Sequence, residues 1–485
     1  MMRNIAIVLT ALLAGCSLAP KFERPESEAP VQFKELTPAE RGNWKTAQPA
    51  EEQPRGEWWK AFQDPALDQL EADAIAANQT LKAAAARVSQ ARALVGVAKA
   101  DRIPRVDAGF GPSRAKPSAT SLGLPPGTDV QPFTAWRGLL TVSYEVDLFG
   151  RISDNINAAS SDYEGSEATF RSVQLALQAD VAQTYFALRE TDEELSLLRN
   201  TVGLREDSAR LLQRRFDLGD IGELDVARAR TELATTRSDA IALERQRAQL
   251  EHALAVLLGK PPASFSLAPA PLASAMPAIP AGLPSSLLER RPDIAAASRT
   301  MAAANSRIGI AKAAFFPVLN LTAQGGFESA ELGDLFKWSS RAWALGPLVG
   351  TILAMPLIDG GRNQANLERS YAVLEESVAG YRQQVLVAFA EVEDNLANVR
   401  TLDDQAEAAR DAVASASRAQ RIAQVRYNAG ATGYLDAIDA QRSLLSVQRL
   451  ETQIKGARAI STVALIRALG GGWNAAAPVV VVGSR

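Results

Sequence analysis

The chain reads as mostly α-helical with membrane β-strands, built by internal duplication, and three observations lead there. The stretch Arg215 to Asp225 (RFDLGDIGELD) returns as Arg426 to Asp436 (RYNAGATGYLD), 211 residues further on. No proline interrupts residues 133–260 or 357–477, so both spans can hold very long helices. Ahead of each span the hydrophobic period changes from helical to alternating. In Leu140 to Asp147 (LTVSYEVD) the apolar residues face one side, and Thr141, Ser143, Glu145 and Asp147 the other. Other landmarks keep the repeat: Phe149-Gly150-Arg151 pairs with Gly360-Gly361-Arg362 and Leu258-Gly259 with Leu469-Gly470 at 211, and Gly96 to Ala100 with Gly309 to Ala313 at 213.

The amino terminus sets the compartment. Arg3 precedes an apolar run from Ile5 to Ala14, which suits a signal peptide over residues 1–15 and is too short to cross a bilayer as a helix. The run ends in Leu13-Ala14-Gly15-Cys16, a lipobox-like sequence with the only cysteine of the chain at the lipidated position. Ser17 follows, and the lack of Asp there fits sorting to the outer membrane.

A lipidated, proline-studded extended segment then covers residues 16–64. Asp64 can cap, and Pro65 begin, a helix running to about Arg102 that opens the first repeat, residues 65–259. Next come a strand hairpin at 105–147 whose middle, Pro112 to Pro132, reads as loop, then a long helix, the tip at 215–225 and a returning helix to Leu258. A proline-rich connector fills 260–284.

The second repeat, 285–470, opens with Ser285 or Ser286 and Glu289 as a capping box. Its hairpin, 318–357, has Phe327 to Ser340 as loop and a return strand around Leu345 to Met355, where Pro347 denies a ladder donor. A long helix, the tip at 426–436 and a returning helix follow, and residues 471–485 form a tail with no legible role.

The two glycines of each tip put it at the end of a helical hairpin. In the second long helix Tyr371, Val378, Val385, Val392, Val399, Ala406 and Val413 recur every seven residues, the period of a coiled-coil seam. From Arg362 to Ala429 such a helix would be about 100 Å long, more than a single-domain core can cover. The strands, apolar on one face and polar on the other, suit lipid outside and water inside. Four strands cannot close a barrel, so several chains must share one. Two chains give eight strands and three give twelve, and only the larger leaves much of a water-filled lumen.

Composition excludes other classes. A net charge of −3 gives no footprint for nucleic acid. The one histidine, His252, sits beside Glu251 in a helical run and reads as solvated. Without a second His or Cys, the common zinc, Ser-His, Cys-His and haem arrangements lack parts. No enzyme is expected, and no metal or cofactor beyond a covalent lipid on Cys16.

The order helix, strand pair, long helix, glycine-bearing tip and returning helix, run twice, resembles the TolC family of outer-membrane channels. Trp58-Trp59, Tyr144 to Arg151 (YEVDLFGR), Leu288 to Asp293 (LERRPD), Ala313 to Pro317 (AAFFP) and Asp436 to Arg442 (DAIDAQR), together with the lipobox, resemble its lipoprotein branch, the OprM and NodT type that serves resistance-nodulation-division pumps. The resemblance implies a homotrimer with a twelve-stranded β-barrel in the outer membrane, continuous with a long twelve-helix α-barrel through the periplasm. It also implies an equatorial belt built from the terminal segments and the connector, a periplasmic adaptor protein and an inner-membrane proton-driven pump.

Family gate residues map onto Tyr427, Leu435, Asp436, Asp439 and Arg442. The resemblance makes Leu435 a plug, Asp436 and Asp439 a negative ring, and Tyr427 and Arg442 the bonds that hold neighbouring helices shut. Asp217 and Asp225 are secondary candidates from the first tip. Where some members carry an arginine beside the second tip glycine, this chain has Thr432. The expected function is a passive, gated exit duct of a drug or small-molecule efflux pump. One rival is the exit channel of a type I protein-secretion system, against which the lipobox, Trp58-Trp59 and Arg290 to Asp293 argue. Another is a coiled-coil lipoprotein tether without a pore, which leaves the alternating hairpins unexplained.

Overall fold

The computed structural model describes residues 17–25, 33–35, 56–272, 277, 291–346 and 353–471. The signal peptide, Cys16, Ser285, Ser286, Glu289, Pro347 and the tail beyond Gly471 lie outside the described residues. Seven helices are labelled α1 (Pro65–Ala77), α2 (Gln79–Ala100), α3 (Arg151–Asp217), α4 (Glu223–Leu257), α5 (Pro292–Ala313), α6 (Arg362–Asn428) and α7 (Tyr434–Ala468). Five strands are labelled β1 (Arg105–Ala115), β2 (Phe133–Val146), β3 (Val318–Ser329), β4 (Arg341–Leu345) and β5 (Leu353–Ala354).

The duplication is metric: α3 and α6 are each 67 residues long, and α4 and α7 each 35. Among the described residues no helix is long and apolar enough to cross a membrane.

The chain divides into two compact units. The first holds residues 87–167 and 296–381 with the described residues 17–25; the second holds 168–295 and 382–485 with the described residues between 33 and 86.

All five strands belong to the first unit and form one antiparallel sheet in the order β1-β2-β3-β4, with β5 also pairing with β3. The register places Phe110, Leu140, Leu321, Phe327, Trp343 and Leu345 on one face. Asp107, Arg137, Thr141, Glu145, Gln324 and Glu328 share the other. The apolar face is largely open, with Trp343 76% exposed, although Leu335 and Phe336 pack over Gly138 and Phe327; the polar face pairs Arg137 Nε with Glu328 Oε2 at 3.1 Å. Among the described residues β1 and β4 have no partner on their outer sides.

The strands are longer than alternation reveals. Pro112 to Ala115, Phe133 to Leu139 and Phe327 to Ser329, read as loop or left unassigned from the sequence, all lie in the ladder, and the return strand begins at Arg341. Pro112 is tolerated because β1 is an edge strand, where a missing N–H need not cost a ladder bond. Glycines break the alternation in β1 and β2, yet cross-strand packing such as Phe110 on Trp136, 6.2 Å between rings, keeps the pairing.

At the base of the sheet Asp147 turns from strand residue to cap, accepting from Ile152 N at 3.0 Å and Ser153 N at 2.8 Å. Asp359 does the same for α6, accepting from Gly361 N and Asn363 N at 2.9 and 2.8 Å. The neighbouring Arg151 makes a two-bond pair with Glu145 at 2.7 and 2.8 Å.

In the second unit Trp58, Trp59 and Phe62 are buried with Phe186, Leu254, Leu258 and Val463. The rings of Phe62 and Phe186 meet at a tilt of 48°, 4.9 Å between centres. The helix expected from Pro65 to about Arg102 is two helices. Asp64 caps α1, accepting from Ala66 N at 2.9 Å. Asn78 then breaks the run because its side chain replaces the backbone twice. Its Oδ1 accepts from Leu81 N at 2.9 Å and its Nδ2 donates to Leu257 O at 2.8 Å.

Gly259, just past α4, has φ 65°, and a Cβ there would lie 2.5 Å from the Ala77 carbonyl oxygen. Gly259→Ala will therefore cost about 2 kcal/mol or more, from left-handed strain plus backbone collision. Gly219→Ala, equally left-handed but with nothing within 4 Å, will cost only the strain, about 1 kcal/mol. Urea midpoints of the two variants measure the difference, and equal midpoints would remove the collision from the account.

The described end of the Leu288 to Asp293 motif is a clasp within this unit. Arg291 forks onto Asp293, with Nη2 2.6 Å from Oδ2, and reaches Glu391 Oε2 at 2.6 Å and the Ala468 carbonyl at 3.0 Å. Gln384 donates to Asp293 Oδ2 at 2.7 Å. One buried guanidinium thus joins the start of α5, the middle of α6 and the end of α7.

Candidate functional site: the helical tips

Both tips are built alike and lie in the second unit. Each long helix ends in the same pair of bonds. Gly219 N donates to Phe216 O (2.8 Å) and Asp220 N to Arg215 O (2.9 Å); Gly430 N donates to Tyr427 O (3.0 Å) and Ala431 N to Arg426 O (2.9 Å). These are Schellman caps, which need a left-handed residue, and Gly219 and Gly430 supply it at φ 79° and 70°. Gly222 and Gly433 then extend the chain, so α4 and α7 start immediately with acids in their first turns: Glu223 and Asp225, and Asp436. Acids there are favoured by the helix dipole whatever else they do.

The sequence-expected residues fall into two groups. Tyr427 joins the tips: its hydroxyl accepts from Arg215 Nη1 at 3.2 Å and its ring lies 5.5 Å from that of Tyr434. Arg215 Nε also holds Asp220 at 2.5 Å. Val226, Ile438 and Leu212 close a small apolar cluster around Tyr434. Burial raises the Tyr427 phenol and pushes that of Tyr434 up to about 12, so both stay neutral donors through the physiological range.

Arg442 belongs to a second network. Nη1 reaches Asp439 at 3.1 Å, and Nε donates to Glu232 Oε1 at 2.8 Å, with Nη2 on the same oxygen. Glu232 in turn faces Arg205, Nη1 to Oε2 3.0 Å, and Arg205 also donates to the Thr236 hydroxyl and the Glu232 carbonyl. Burial pulls the Arg205 pKa down while the Glu232 carboxylate holds it up. Arg205, Glu232 and Arg442 thereby tie α3, α4 and α7 together.

Leu435, 41% exposed, and Asp436 make no side-chain bond among the described residues and lie open. Asp225 sits 3.6 Å from Arg228, and Asp217 accepts from Gln213 at 2.8 Å. Neither Asp217 nor Asp225 bonds to the second tip among the described residues.

Sequence reasoning did not find Arg205, Glu232, Arg215 or Asp220. The last two lie in the duplicated stretch, and the match of Arg215 to Arg426 was a usable signal. Nothing marked Arg205 and Glu232: at the repeat distance of 211 they meet Ala416 and Ser443, so the pair has no echo in the second half.

The strengths of these bonds differ. The Arg442–Asp439 pair is about half exposed on both sides and holds by at most about 1 kcal/mol. The Arg205–Glu232 pair is about nine-tenths covered, so removing one partner strands a buried charge. Asp439 and Arg442 lie three residues apart on α7, so the bond that ties α7 to α4 is Arg442 on Glu232, half exposed on its arginine side. Among the described residues no group of three or more His, Cys, Asp or Glu could hold a metal ion.

A family model described as outer membrane efflux protein matches residues 70–260 and 283–471, one segment per repeat. The chain belongs to the outer membrane efflux protein family. Outer membrane protein OprJ of Pseudomonas aeruginosa is 35% identical over 482 residues, covering 98% of this chain and 97% of OprJ. The toluene efflux pump outer membrane protein TtgF of Pseudomonas putida is 35% identical over 476 residues, 97% of each chain.

Among solved structures, the CmeC outer membrane channel of Campylobacter jejuni superposes with a TM-score of 0.86 at 26% identity, covering 96% of both chains. The outer-membrane channel OprN does so with 0.84 at 29% identity, covering 94% of this chain and all of OprN. This outer membrane efflux protein therefore has the fold of the outer-membrane channels, with the duplicated helix and strand order expected from its sequence. Its relatives are named as pump components and channels, not as enzymes.

Proposed function

We propose that the protein is the passive exit duct of a tripartite drug or small-molecule efflux pump. It works as a homotrimer, anchored in the outer membrane by lipid on Cys16 and joined to a periplasmic adaptor and an inner-membrane resistance-nodulation-division pump. The observation that carries the reading is the sheet, apolar on one face, polar on the other and open at β1 and β4. An open two-faced sheet of this size closes only with further copies. Three chains supply twelve strand positions and place Arg137, Glu145 and Glu328 toward water. Exposed apolar residues on the long helices, such as Leu204 and Leu386, fit contact with neighbouring copies. The naming of the relatives as efflux-pump proteins favours small-molecule efflux over protein secretion, and a poreless tether gives the sheet no use.

In this reading the tips are the gate. Leu435 and Asp436, bare in the single chain, gather around the threefold axis as plug and acidic ring. Arg442, positioned by Asp439 of its own helix, on Glu232, and Tyr427 on Arg215, hold the hairpins closed until the adaptor draws them outward. The duct itself performs no chemistry and uses no cofactor.

Planar-bilayer conductance of the purified trimer tests both parts. The cross-helix bond of Arg442 to Glu232, half exposed on the arginine side, contributes about 1 kcal/mol per subunit, so Asp439→Ala with Arg442→Ala, summed over three subunits, will move the closed-to-open ratio roughly a hundredfold and raise a small wild-type current strongly. An unchanged current removes these residues from the gate. No current from either protein, with trimers verified in the membrane, overturns the duct reading.

A further inference from the structure

In the first unit the residues just after the lipobox are already seated. Ser17 Oγ donates to Asp154 Oδ1 at 2.6 Å, and Ala19 N donates back to Ser17 Oγ at 3.1 Å. Asn305 Nδ2 donates to the Pro20 carbonyl at 2.7 Å. Asp154 is 1% exposed, and its Oδ2 has no hydrogen-bond partner among the described residues. A Cβ added to Gly309 would lie 2.0 Å from that oxygen and 2.9 Å from the Ala19 Cβ, so the glycine is what leaves room for both.

Helix capping does not account for Asp154, because Asp147 already takes the first amides of α3. A buried carboxylate oxygen without a donor is costly to keep, and burial raises the Asp154 pKa against the help of Ser17 and Ala19.

The duplication supplies an internal control. At the repeat distances the counterpart of Asp154 is Ala365, that of Asn305 is Arg92, and that of Gly309 is Gly96. Gly96 has nothing within 4 Å of its added Cβ, and Arg92 bonds instead to the Tyr163 hydroxyl at 2.9 Å. Only the α3–α5 pair, which meets the amino-terminal segment, brings the carboxylate and the amide together around a crowded glycine; its repeat equivalents in α6 and α2 have neither group and an open glycine.

We propose that Asp154, Asn305 and Gly309 form a dedicated seat for the acylated amino terminus, fixing where the lipid chains of Cys16 leave the protein. This deepens the reading of Cys16 as the lipid anchor and rests on it. The seat holds Ser17 to Pro20, so the residue that carries the acyl chains directly precedes Ser17, whose partner Asp154 stands in the first turn of α3. The unpartnered Oδ2 is available to one more N–H of the terminal segment.

Trypsin tests the seat on the full-length trimer in detergent. Lys21 is exposed and follows the seated residues directly, and cleavage after it releases the six-residue peptide from Cys16, read by mass spectrometry. Loss of one charge-assisted bond will speed release about tenfold in Asp154→Ala and less in Asn305→Ala. Gly309→Ala will speed it as well, whereas Gly96→Ala will leave it unchanged, a contrast that general helix weakening would not produce. Trimer migration on gels verifies assembly of every variant, and Asn305→Ala, the mildest change, serves if Asp154→Ala does not assemble.

Unchanged release in Asn305→Ala and Gly309→Ala, with the peptide acylated, overturns the seat while the anchor stands. A wild-type peptide without acyl mass overturns the anchor, and with it the role given to the seat.

Discussion

Arg291→Ala will lower the stability of the assembled protein by about 3 kcal/mol, the cost of leaving the three-quarters-covered Asp293 carboxylate and the Ala468 carbonyl without their guanidinium. Arg291 is 6% exposed and bonds Asp293, Glu391 and the carbonyl of Ala468, the last residue of α7, at once. Its loss leaves Asp293 with only Gln384 and its own helix amide. Burial alone would raise the Asp293 pKa, but the Arg291 fork and its charge outweigh burial and hold it below the usual carboxylate range.

The pH sign follows. A depressed folded pKa stabilises fully above the unfolded value, near 3.9, and that stabilisation is lost as pH falls through the folded value. Wild type will therefore lose the clasp only in acid, and Arg291→Ala will lack that acid-sensitive part. Thermal unfolding by circular dichroism at neutral and acid pH measures both, and a neutral-pH shift worth less than about 1 kcal/mol would show the clasp to be ornamental.

Glu232→Ala is of similar size and bears directly on the gate. It strands Arg205, which is about nine-tenths covered, and frees Arg442, which is half exposed. Unfolding should cost about 3 kcal/mol less, with conductance raised at least as far as in the outer double substitution. Arg205→Leu with Glu232→Leu removes both charges and should recover most of the stability, since replacing a buried pair by apolar residues is often neutral. If the double change recovers stability but leaves conductance low, the inner pair is structural and the gate ends at Asp439 and Arg442. If Glu232→Ala unfolds no more easily than wild type, Arg205 finds water and the pair is not buried in the assembly.

The sequence alone determined what depends on local order. Duplication at a fixed spacing, proline-free spans and a change of hydrophobic period specify long helices, strand pairs and glycine tips, because each follows from backbone geometry over a few residues. The repeat located the tips, but Tyr427, Leu435, Asp436, Asp439 and Arg442 became candidates there only through the family resemblance that maps gate residues onto them.

Only the tertiary structure decided what depends on partners far apart in the chain. The break at Asn78 required the Leu257 carbonyl. The strand length beyond Gly138 and Pro112 required cross-strand neighbours. Glu232 could be placed beneath Arg442 only by two helices that meet 210 residues apart in sequence. The seat at Asp154 likewise joins residues separated by 137 positions. A pattern records what one helix or strand requires of its own residues, while a buried charge is fixed by the neighbour that compensates it, and that neighbour is chosen by packing.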